Sequence, residues 1–251
     1  MVKIILVGAG GKMGRVITEC VEKRDNCEIV AGVDKVVVEA PFPVVDDISK
    51  VNDDADVIID FSHPSTLDSI LEYATSKVLP VVLATTGYDN EQIDKINEYS
   101  KKIPVFFTYN MSLGVNLIAD LAKRAAAVLS DDFDIEIVEA HHNQKIDAPS
   151  GTALMLADAI TADLDNSYYY EYDRHSKRQK REKKEIGIHA IRGGTIVGEH
   201  QVIFAGRDEI VTLSHSARSK EIFATGAVNA SIYMIGKSAG LYTMSDLVSA
   251  K

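Results

Sequence analysis

The stretch that decides the fold is Val2-Lys3-Ile4-Ile5-Leu6-Val7-Gly8-Ala9-Gly10-Gly11-Lys12-Met13-Gly14. Its first six residues predict a β-strand, its glycines predict a loop, and residues 13–21 carry apolar side chains at helical spacing. A strand, a glycine loop and a helix in this order offer backbone N–H groups and the positive end of a helix dipole to a pyrophosphate. The sequence therefore predicts a dinucleotide site at Gly8, Ala9, Gly10, Gly11, Lys12 and Met13.

The next predicted strand supports this interpretation. It covers residues 28–34 and ends in Asp34, where a Rossmann fold needs a carboxylate for the ribose hydroxyls. The loop departs from the common G-x-G-x-x-G because its last glycine is Gly14, and a glycine turn without a ligand is the alternative. Lys35 would attract the 2′-phosphate that Asp34 repels, so we expect both NADH and NADPH to be used.

The alternation of strands and helices continues to about residue 110. Further strands are predicted at 56–61, 79–84 and 104–108, with helices at 64–76 and 91–101, which implies a parallel sheet covered on both faces. Two loops follow strand ends, where this architecture binds ligands, although simple turn chemistry is the alternative for each residue. The loop residues expected to contact the nicotinamide half are Ala84, Thr85, Thr86, Thr108, Tyr109, Asn110 and Met111.

The pattern changes after Ser112, which is expected to cap a long helix. Strands are predicted at 133–140, 186–192, 195–204 and 209–216, with one helix at about 150–162, and these indicate an α+β domain with a mixed or antiparallel sheet. We therefore predict a dinucleotide domain at 1–112, to which 217–251 returns, and a substrate-binding and oligomerisation domain at 113–216. The apolar stripe expected on the long helix is Leu113, Leu117, Ile118, Leu121, Ala125, Val128 and Leu129.

Composition excludes several classes of function. The 251 residues carry a formal net charge of −10, which argues against a nucleic-acid partner and favours a small molecule. The apolar runs are too short to span a bilayer and no leader is recognised, so a cytoplasmic location is expected. Cys20 and Cys27 suggest neither a disulfide framework nor a metal site. The basic run at 177–181, inside the weakly patterned stretch 166–184, is interpreted as part of a solvated loop in preference to a nucleic-acid patch.

The most informative segment follows the strand at 133–140. His141 and His142 are adjacent on a strand and so face opposite sides, which favours divided roles over a shared metal. One could donate a proton while the other orients a substrate. Ser150-Gly151-Thr152 opens a helix whose first N–H groups can receive a carboxylate, and Lys145 adds a positive charge. The segment predicts a second anion site, suited to an organic acid.

The whole chain resembles the 4-hydroxy-tetrahydrodipicolinate reductase (dihydrodipicolinate reductase) family of the lysine and diaminopimelate pathway. The resemblance is carried by Glu139-Ala140-His141-His142-x-x-Lys145-x-Asp147-Ala148-Pro149-Ser150-Gly151-Thr152-Ala153, by Gly8 to Arg15, Asp60-Phe61, Thr85-Thr86-Gly87, Asn110-Met111-Ser112, Ile188 to Gly194, Gly198-Glu199-His200 and Phe223 to Val228.

This resemblance implies a Rossmann-like α/β cofactor domain, an α+β substrate domain and a homotetramer that reduces a cyclic dicarboxylate with NADH or NADPH. His141 would be the proton donor, and Lys145 would hold the substrate and assist loss of its 4-hydroxyl group. His142, Gly151 and Thr152 would complete the substrate site. Negative charge that builds on the ring during hydride addition suits a nearby acid and ammonium group.

Two other functions are alternatives to this one. A dehydrogenase that acts through a thioester needs a cysteine beyond the first domain, and the sequence has none there. A protein that senses NAD(P)H without turning it over remains as the alternative, but it would leave the histidine–lysine segment without a purpose.

Overall fold

The computed structural model describes residues 1–52, 54–164 and 167–250. The chain divides into two compact units, Met1–Leu113 with Lys220–Lys251, and Gly114–Ser219. No helix among the described residues is both long enough and apolar enough to cross a membrane.

The first unit is built on seven parallel strands. In chain order they are β1 (Val2–Val7), β2 (Cys27–Val33), β3 (Val44–Val45), β4 (Val57–Asp60), β5 (Val81–Leu83), β6 (Pro104–Phe107) and β12 (Gly240–Tyr242). Their order across the sheet is β12-β6-β5-β4-β1-β2-β3, and each neighbouring pair is parallel. The strand order reverses beside β1, and in such sheets ligands bind at the carboxyl ends of the strands at this point.

Helices cover both faces of this sheet. They are α1 (Lys12–Glu22), α2 (Leu67–Lys77), α3 (Asn90–Ser100), α6 (Glu221–Tyr233) and α7 (Met244–Ser249). Along β1, Ile4 and Leu6 join the core formed with α1 and α6, while Ile5 and Val7 join the core formed with α2 and α3. Burial on both faces explains why the central strands are continuously apolar, and the predicted parallel α/β sheet is confirmed.

The second unit contains a mixed five-stranded sheet. Its strands are β7 (Asp134–His141), β8 (Tyr169–Glu171), β9 (Glu185–Arg192), β10 (Gly198–Ala205) and β11 (Ile210–Ala217), in the order β11-β10-β7-β9-β8. β7 and β8 are parallel to β9, whereas β10 is antiparallel to β7 and β11. Helices α4 (Leu113–Leu129) and α5 (Gly151–Thr161) pack against one face of this sheet. The predicted α+β architecture is confirmed.

The apolar stripe predicted on α4 is wrong only in part, since Ile118 lies in the core and Ala125 and Leu129 pack against it, as predicted. The helix buries Ile118, Ala122 and Ala126 in the core, whereas Leu121 is 40% exposed and Val128 is 80% exposed. Alanines let a helix approach a sheet closely, so the small residues take the core face although larger apolar residues lie elsewhere on the helix.

The predicted solvated loop at 166–184 is also wrong in part, although Asn166 lies outside the described residues. Residues 169–171 form the edge strand β8. Arg181 lies on the unit rather than in solvent, since its guanidinium donates to Asp134 Oδ1 (3.0 Å), Glu136 Oε1 (2.9 Å) and the carbonyl of Ile135 (2.8 Å). The basic run therefore contributes ion pairs to the second unit. A charge pattern in the sequence cannot reveal partners so distant along the chain.

Candidate functional site

In the first unit the glycine loop makes a tight turn between β1 and α1. Gly8 has a φ of +85°, and a Cβ atom there would lie 2.4 Å from the carbonyl oxygen of Phe61. A Cβ atom on Gly14 would lie 2.3 Å from the carbonyl oxygen of Gly8. Glycine is therefore required at both positions, one for its backbone conformation and one for the close approach of α1 to the loop.

The first turn of α1 carries no side-chain cap in the described chain. Gly11 is the N-cap residue, and the N–H groups of the first helical turn have no partner within the helix. The earlier loop amides are already bonded, since Gly8 donates to the carbonyl of Val33 and Gly10 donates to Asp34 Oδ2 at 2.9 Å. The backbone at Lys12 and Met13 is thus the part of the loop suited to an anion.

A cavity of about 730 Å³ lies beside this loop within the first unit. Gly8, Gly11, Asp34 and Lys35 line one part of it, and its volume lies in the range of small-molecule and cofactor sites. Asp34 also accepts from the N–H of Val36 at 3.3 Å, so its carboxylate braces the loop as well as facing the cavity. The residues present fit a dinucleotide.

A buried carboxylate connects two loops of this unit. Asp60, at the end of β4, is fully buried and accepts from the N–H of Ser62 (3.1 Å) and the hydroxyl of Tyr88 (3.1 Å). The N–H of Ser62 also donates to Thr85 Oγ1 at 2.9 Å. Burial raises the pKa of Asp60, although the hydrogen bonds that it accepts act in the opposite direction. The pKa of Tyr88 is raised, first by burial and then by the negative charge of Asp60. Thr85 therefore belongs to a network that ties the loops after β4 and β5 together.

The other predicted cofactor residues differ in exposure. Ala9, Ala84 and Met111 belong to the hydrophobic core, and the carbonyl oxygen of Met111 lies 1.7 Å from where a Cβ atom on Gly226 would be. Tyr109 is 72% exposed. The residues nearer the surface, whose side chains are not buried in this core, are Lys12, Lys35, Thr86, Thr108, Tyr109 and Asn110.

In the second unit the predicted acid lies at the end of β7. His141 Nδ1 is 2.6 Å from Glu139 Oε2, and Glu139 has no exposed surface. Arg192 of β9 makes a bidentate pair with the same carboxylate, at 2.8 Å to Oε2 and 2.7 Å to Oε1. Burial alone would raise the pKa of Glu139, but the hydrogen bonds from Arg192, His141 and the N–H of Ser150 hold it below its usual value. Glu139 is therefore ionised and His141 faces an acceptor.

Helix α5 begins beside this pair. Ser150 caps the helix by accepting from the N–H of Ala153 at 3.2 Å, and its own N–H donates to Glu139 Oε1 at 3.0 Å. The predicted start of this helix is confirmed. A Cβ atom built on Gly151 would meet no atom within 4 Å, so open space adjoins the positive end of the helix.

The loop between β7 and α5 carries the predicted ammonium group. Lys145 Nζ is 2.9 Å from Asp147 Oδ1, and this contact lowers the pKa of Asp147. The N–H of Lys145 donates to the carbonyl of His142 at 3.2 Å. The loop thus brings His142 and Lys145 into one turn.

The described residues contain no group of three His, Cys, Asp or Glu side chains suited to a metal ion.

Glu139, Arg192 and His200 were not among the predicted site residues. His200 Nε2 is 3.1 Å from Ser150 Oγ, and the ring centroids of His200 and His141 are 5.2 Å apart. A signal for Glu139 was present, because Ile135 and Ile137 place it on the inward face of β7 by simple alternation. A charged residue at an inward position requires a buried partner, and Arg192 of the neighbouring strand provides it.

We predict that the folded chain loses stability in mild acid through His200. Burial first, then His141, lowers the pKa of His200 from 6.5 to about 4. The unfolded chain binds this proton near pH 6.5, whereas the folded chain does so only near pH 4, so stability falls as the pH decreases through this window. The loss should reach about 2 kcal/mol at about pH 5.

Urea unfolding at about pH 7 and about pH 5 tests this prediction. His200→Gln should reduce the loss, while the exposed His175→Gln should leave it unchanged. An equal loss in the chain with and without His200 would contradict the assignment of the proton to this ring.

The comparisons with known proteins cover both units. The C-terminal family model of dihydrodipicolinate reductase matches residues 114–248, and the N-terminal model of the same family matches residues 2–111. The chain is 52% identical over 252 residues to 4-hydroxy-tetrahydrodipicolinate reductase of Clostridium novyi, with 100% of each chain covered. It is 51% identical to the protein of the same name from Caldanaerobacter subterraneus, covering 99% of this chain and 98% of the relative.

A solved structure agrees with these sequence matches. Dipicolinate-bound dihydrodipicolinate reductase from Paenisporosarcina sp. TG-14 superposes with a TM-score of 0.81 at 25% identity, covering 97% of both chains. Together with a glycine loop that fits a dinucleotide and a histidine beside an open helix start, these matches show that the chain belongs to the dihydrodipicolinate reductase family.

Proposed function

We propose that this chain is the reductase that converts 4-hydroxy-tetrahydrodipicolinate, via dihydrodipicolinate, to tetrahydrodipicolinate in lysine and diaminopimelate biosynthesis. The observation that carries the proposal is the segment from β7 to α5, where His141 lies next to the start of a helix that adjoins open space. The substrate is inferred from the names of the relatives. The segment would provide the acid and the carboxylate-binding site that such a substrate requires.

The proposed cofactor is NADH or NADPH, held in the first unit. When bound, the reduced nicotinamide supplies the hydride. The start of α1 would bind the pyrophosphate, and Asp34 would accept from the ribose hydroxyls. Gly11, the N-cap residue of α1, and Asp34 both line the cavity. The residues proposed to hold the cofactor are Gly8, Ala9, Gly10, Gly11, Lys12, Met13, Asp34, Lys35, Ala84, Thr85, Thr86, Thr108, Tyr109, Asn110 and Met111.

The proposed substrate is a small ring with two carboxylates. The solved relative from Paenisporosarcina carries dipicolinate, a flat dicarboxylate of this kind. In this chain one carboxylate would bind at Gly151 and Thr152, where the helix dipole is positive and the glycine leaves room. Lys145 and His142, which share one turn, would bind the other charged groups of the ring.

The proposed acid is His141, acting through Nε2. Glu139 occupies the Nδ1 side of the imidazole ring, so Nε2 is the nitrogen left for proton transfer. His141 would give its proton to the ring atom that gains negative charge as hydride adds to the conjugated imine. In the preceding step Lys145 would give a proton to the 4-hydroxyl group, which leaves as water, while the adjacent ring carbon loses a proton as the new double bond forms. The balance is one hydride and one proton added per ring reduced.

The non-catalytic alternative receives no support from the comparisons, because both close relatives are named as reductases. We also propose a cytoplasmic homotetramer, as the family resemblance implies. The second unit offers a suitable surface, since the sheet face opposite α4 and α5 carries Ile191 and Ile210, which are 52% and 68% exposed.

Loss of either proposed catalytic group should slow turnover strongly. With substrate generated in the cuvette by dihydrodipicolinate synthase, His141→Gln and Lys145→Ala should each lower kcat by about 10²-fold, because proton transfer or charge stabilisation is lost. The measurement is the decrease in NADH or NADPH absorbance. The exposed His175→Gln is the matched control and should keep the normal rate. Normal rates in both site variants would exclude this mechanism.

The pair Asp34–Lys35 should decide how the two cofactors are discriminated. Lys35 is exposed and lines the cavity, so Lys35→Ala should lower kcat/KM for NADPH by about 2- to 5-fold, the size of one exposed ion pair, and leave NADH nearly unaffected. Lys12→Ala is the comparison, because a group beside the pyrophosphate should affect both cofactors equally. Equal effects of Lys35→Ala on the two cofactors would remove Lys35 from this role.

A further inference from the structure

A single buried carboxylate contacts three parts of the candidate substrate site. Glu139 accepts from His141 Nδ1, from the N–H of Ser150 at the start of α5, and from both terminal nitrogens of Arg192. A carboxylate has about four acceptor positions, and these four donors fill them. Its position on the inward face of β7 leaves it no exposed surface.

Arg192 extends this contact to the loop that carries Lys145. Besides its bidentate pair with Glu139, its Nη2 donates to the carbonyl oxygen of Asp147 at 2.7 Å, and the Asp147 side chain is 2.9 Å from Lys145 Nζ. The proposed acid, the start of α5 and the ammonium-bearing loop are therefore all held by one ion pair. Removing one member of a buried ion pair leaves the other charge buried and unpaired, which is strongly destabilising, so the two partners depend on each other.

The geometry also selects which nitrogen of His141 is available. A hydrogen bond of 2.6 Å to an ionised carboxylate requires a proton on Nδ1. Nε2 lies next to Gly198, where a Cβ atom would approach it to 3.2 Å, so the glycine keeps the space beside this nitrogen clear. With Nδ1 engaged by the carboxylate, Nε2 is the ring nitrogen from which a proton can be donated.

Other charged and titratable groups face this ring from each neighbouring element. Arg192 comes from β9, and His200 comes from β10 with its ring centroid 5.2 Å away. His215 of β11 lies opposite His200 in the ladder, and Lys145 and Asp147 lie on the loop before α5. Glu139 is the anion in direct contact with His141 Nδ1.

We propose that Glu139, clamped by Arg192, is a positioning residue that holds His141 with Nε2 toward the substrate and places a negative charge beside its Nδ1. The proposal rests on the proposed function. It assigns a role to a residue outside the proposed catalytic and substrate-binding residues, and it gives a reason for the buried ion pair with Arg192.

Glu139→Gln tests the proposal through the pH dependence of kcat. The amide keeps the size of the side chain but removes the negative charge beside the proposed proton donor. The descending alkaline limb of kcat should therefore shift to lower pH by about one unit, with kcat reduced about tenfold on that limb and recovered toward the acid side. A structural role alone would lower kcat by the same factor at every pH.

Glu136→Gln is the matched control. Glu136 lies on the same strand and its Oε2 is 2.8 Å from His189 Nε2, but it contacts none of the proposed site residues. Its alkaline limb should coincide with that of the unmodified chain.

The double variant Glu139→Gln with Arg192→Met guards against misfolding, because replacing both members of a buried ion pair often preserves stability. It should show the same shift of the alkaline limb. If the unmodified chain is active and the folded variants show no shift of the alkaline limb of kcat, the role of Glu139 is overturned and the proposed function is not. An unmodified chain without turnover would overturn the proposed function and this role together.

Discussion

The second unit depends on the ion pair between Glu139 and Arg192. A carboxylate without exposed surface is tolerated only when its acceptor positions are filled, and here a strand, a neighbouring strand and a helix start each supply a donor. This constraint fixes where β7 ends, where α5 begins and how the His141 ring is turned. The chemistry proposed for the chain is therefore a consequence of how one buried charge is satisfied.

The first unit solves a comparable problem with backbone groups. A side chain is excluded at Gly14 by the glycine loop and at Gly8 by the carbonyl group of Phe61, and the start of α1 has no side-chain cap, which suits an anion. Asp34 and Asp60 then brace the surrounding loops by accepting from backbone N–H groups. In both units a carboxylate orders the backbone around a place suited to negatively charged ligands.

Much of this organisation could be predicted from the sequence, because it depends on local patterns. The strand at residues 2–7, the helix that begins after Ser150 and the covered parallel sheet follow from periodicity, caps and glycines. Tertiary packing decided the rest. Hydrophobicity alone favours Leu121 over Ala122 for the buried face of α4. The structure buries Ala122 because its small side chain lets the helix lie closer to the sheet. The short strands β3 and β12, of two and three residues, are too short to give a periodic signal.

Arg192, the ionic partner of Glu139, lies 53 residues further along the chain, so the sequence alone does not show what balances this buried carboxylate. The central claim is that this carboxylate turns His141 Nε2 toward a dicarboxylate bound at the start of α5. A crystal structure with dipicolinate tests it most directly. We predict a ligand carboxylate oxygen about 3 Å from the N–H of Gly151 or Thr152, His141 Nε2 beside the ring and Nδ1 still bonded to Glu139. Dipicolinate bound away from α5, or a His141 ring turned from Glu139, would contradict the account.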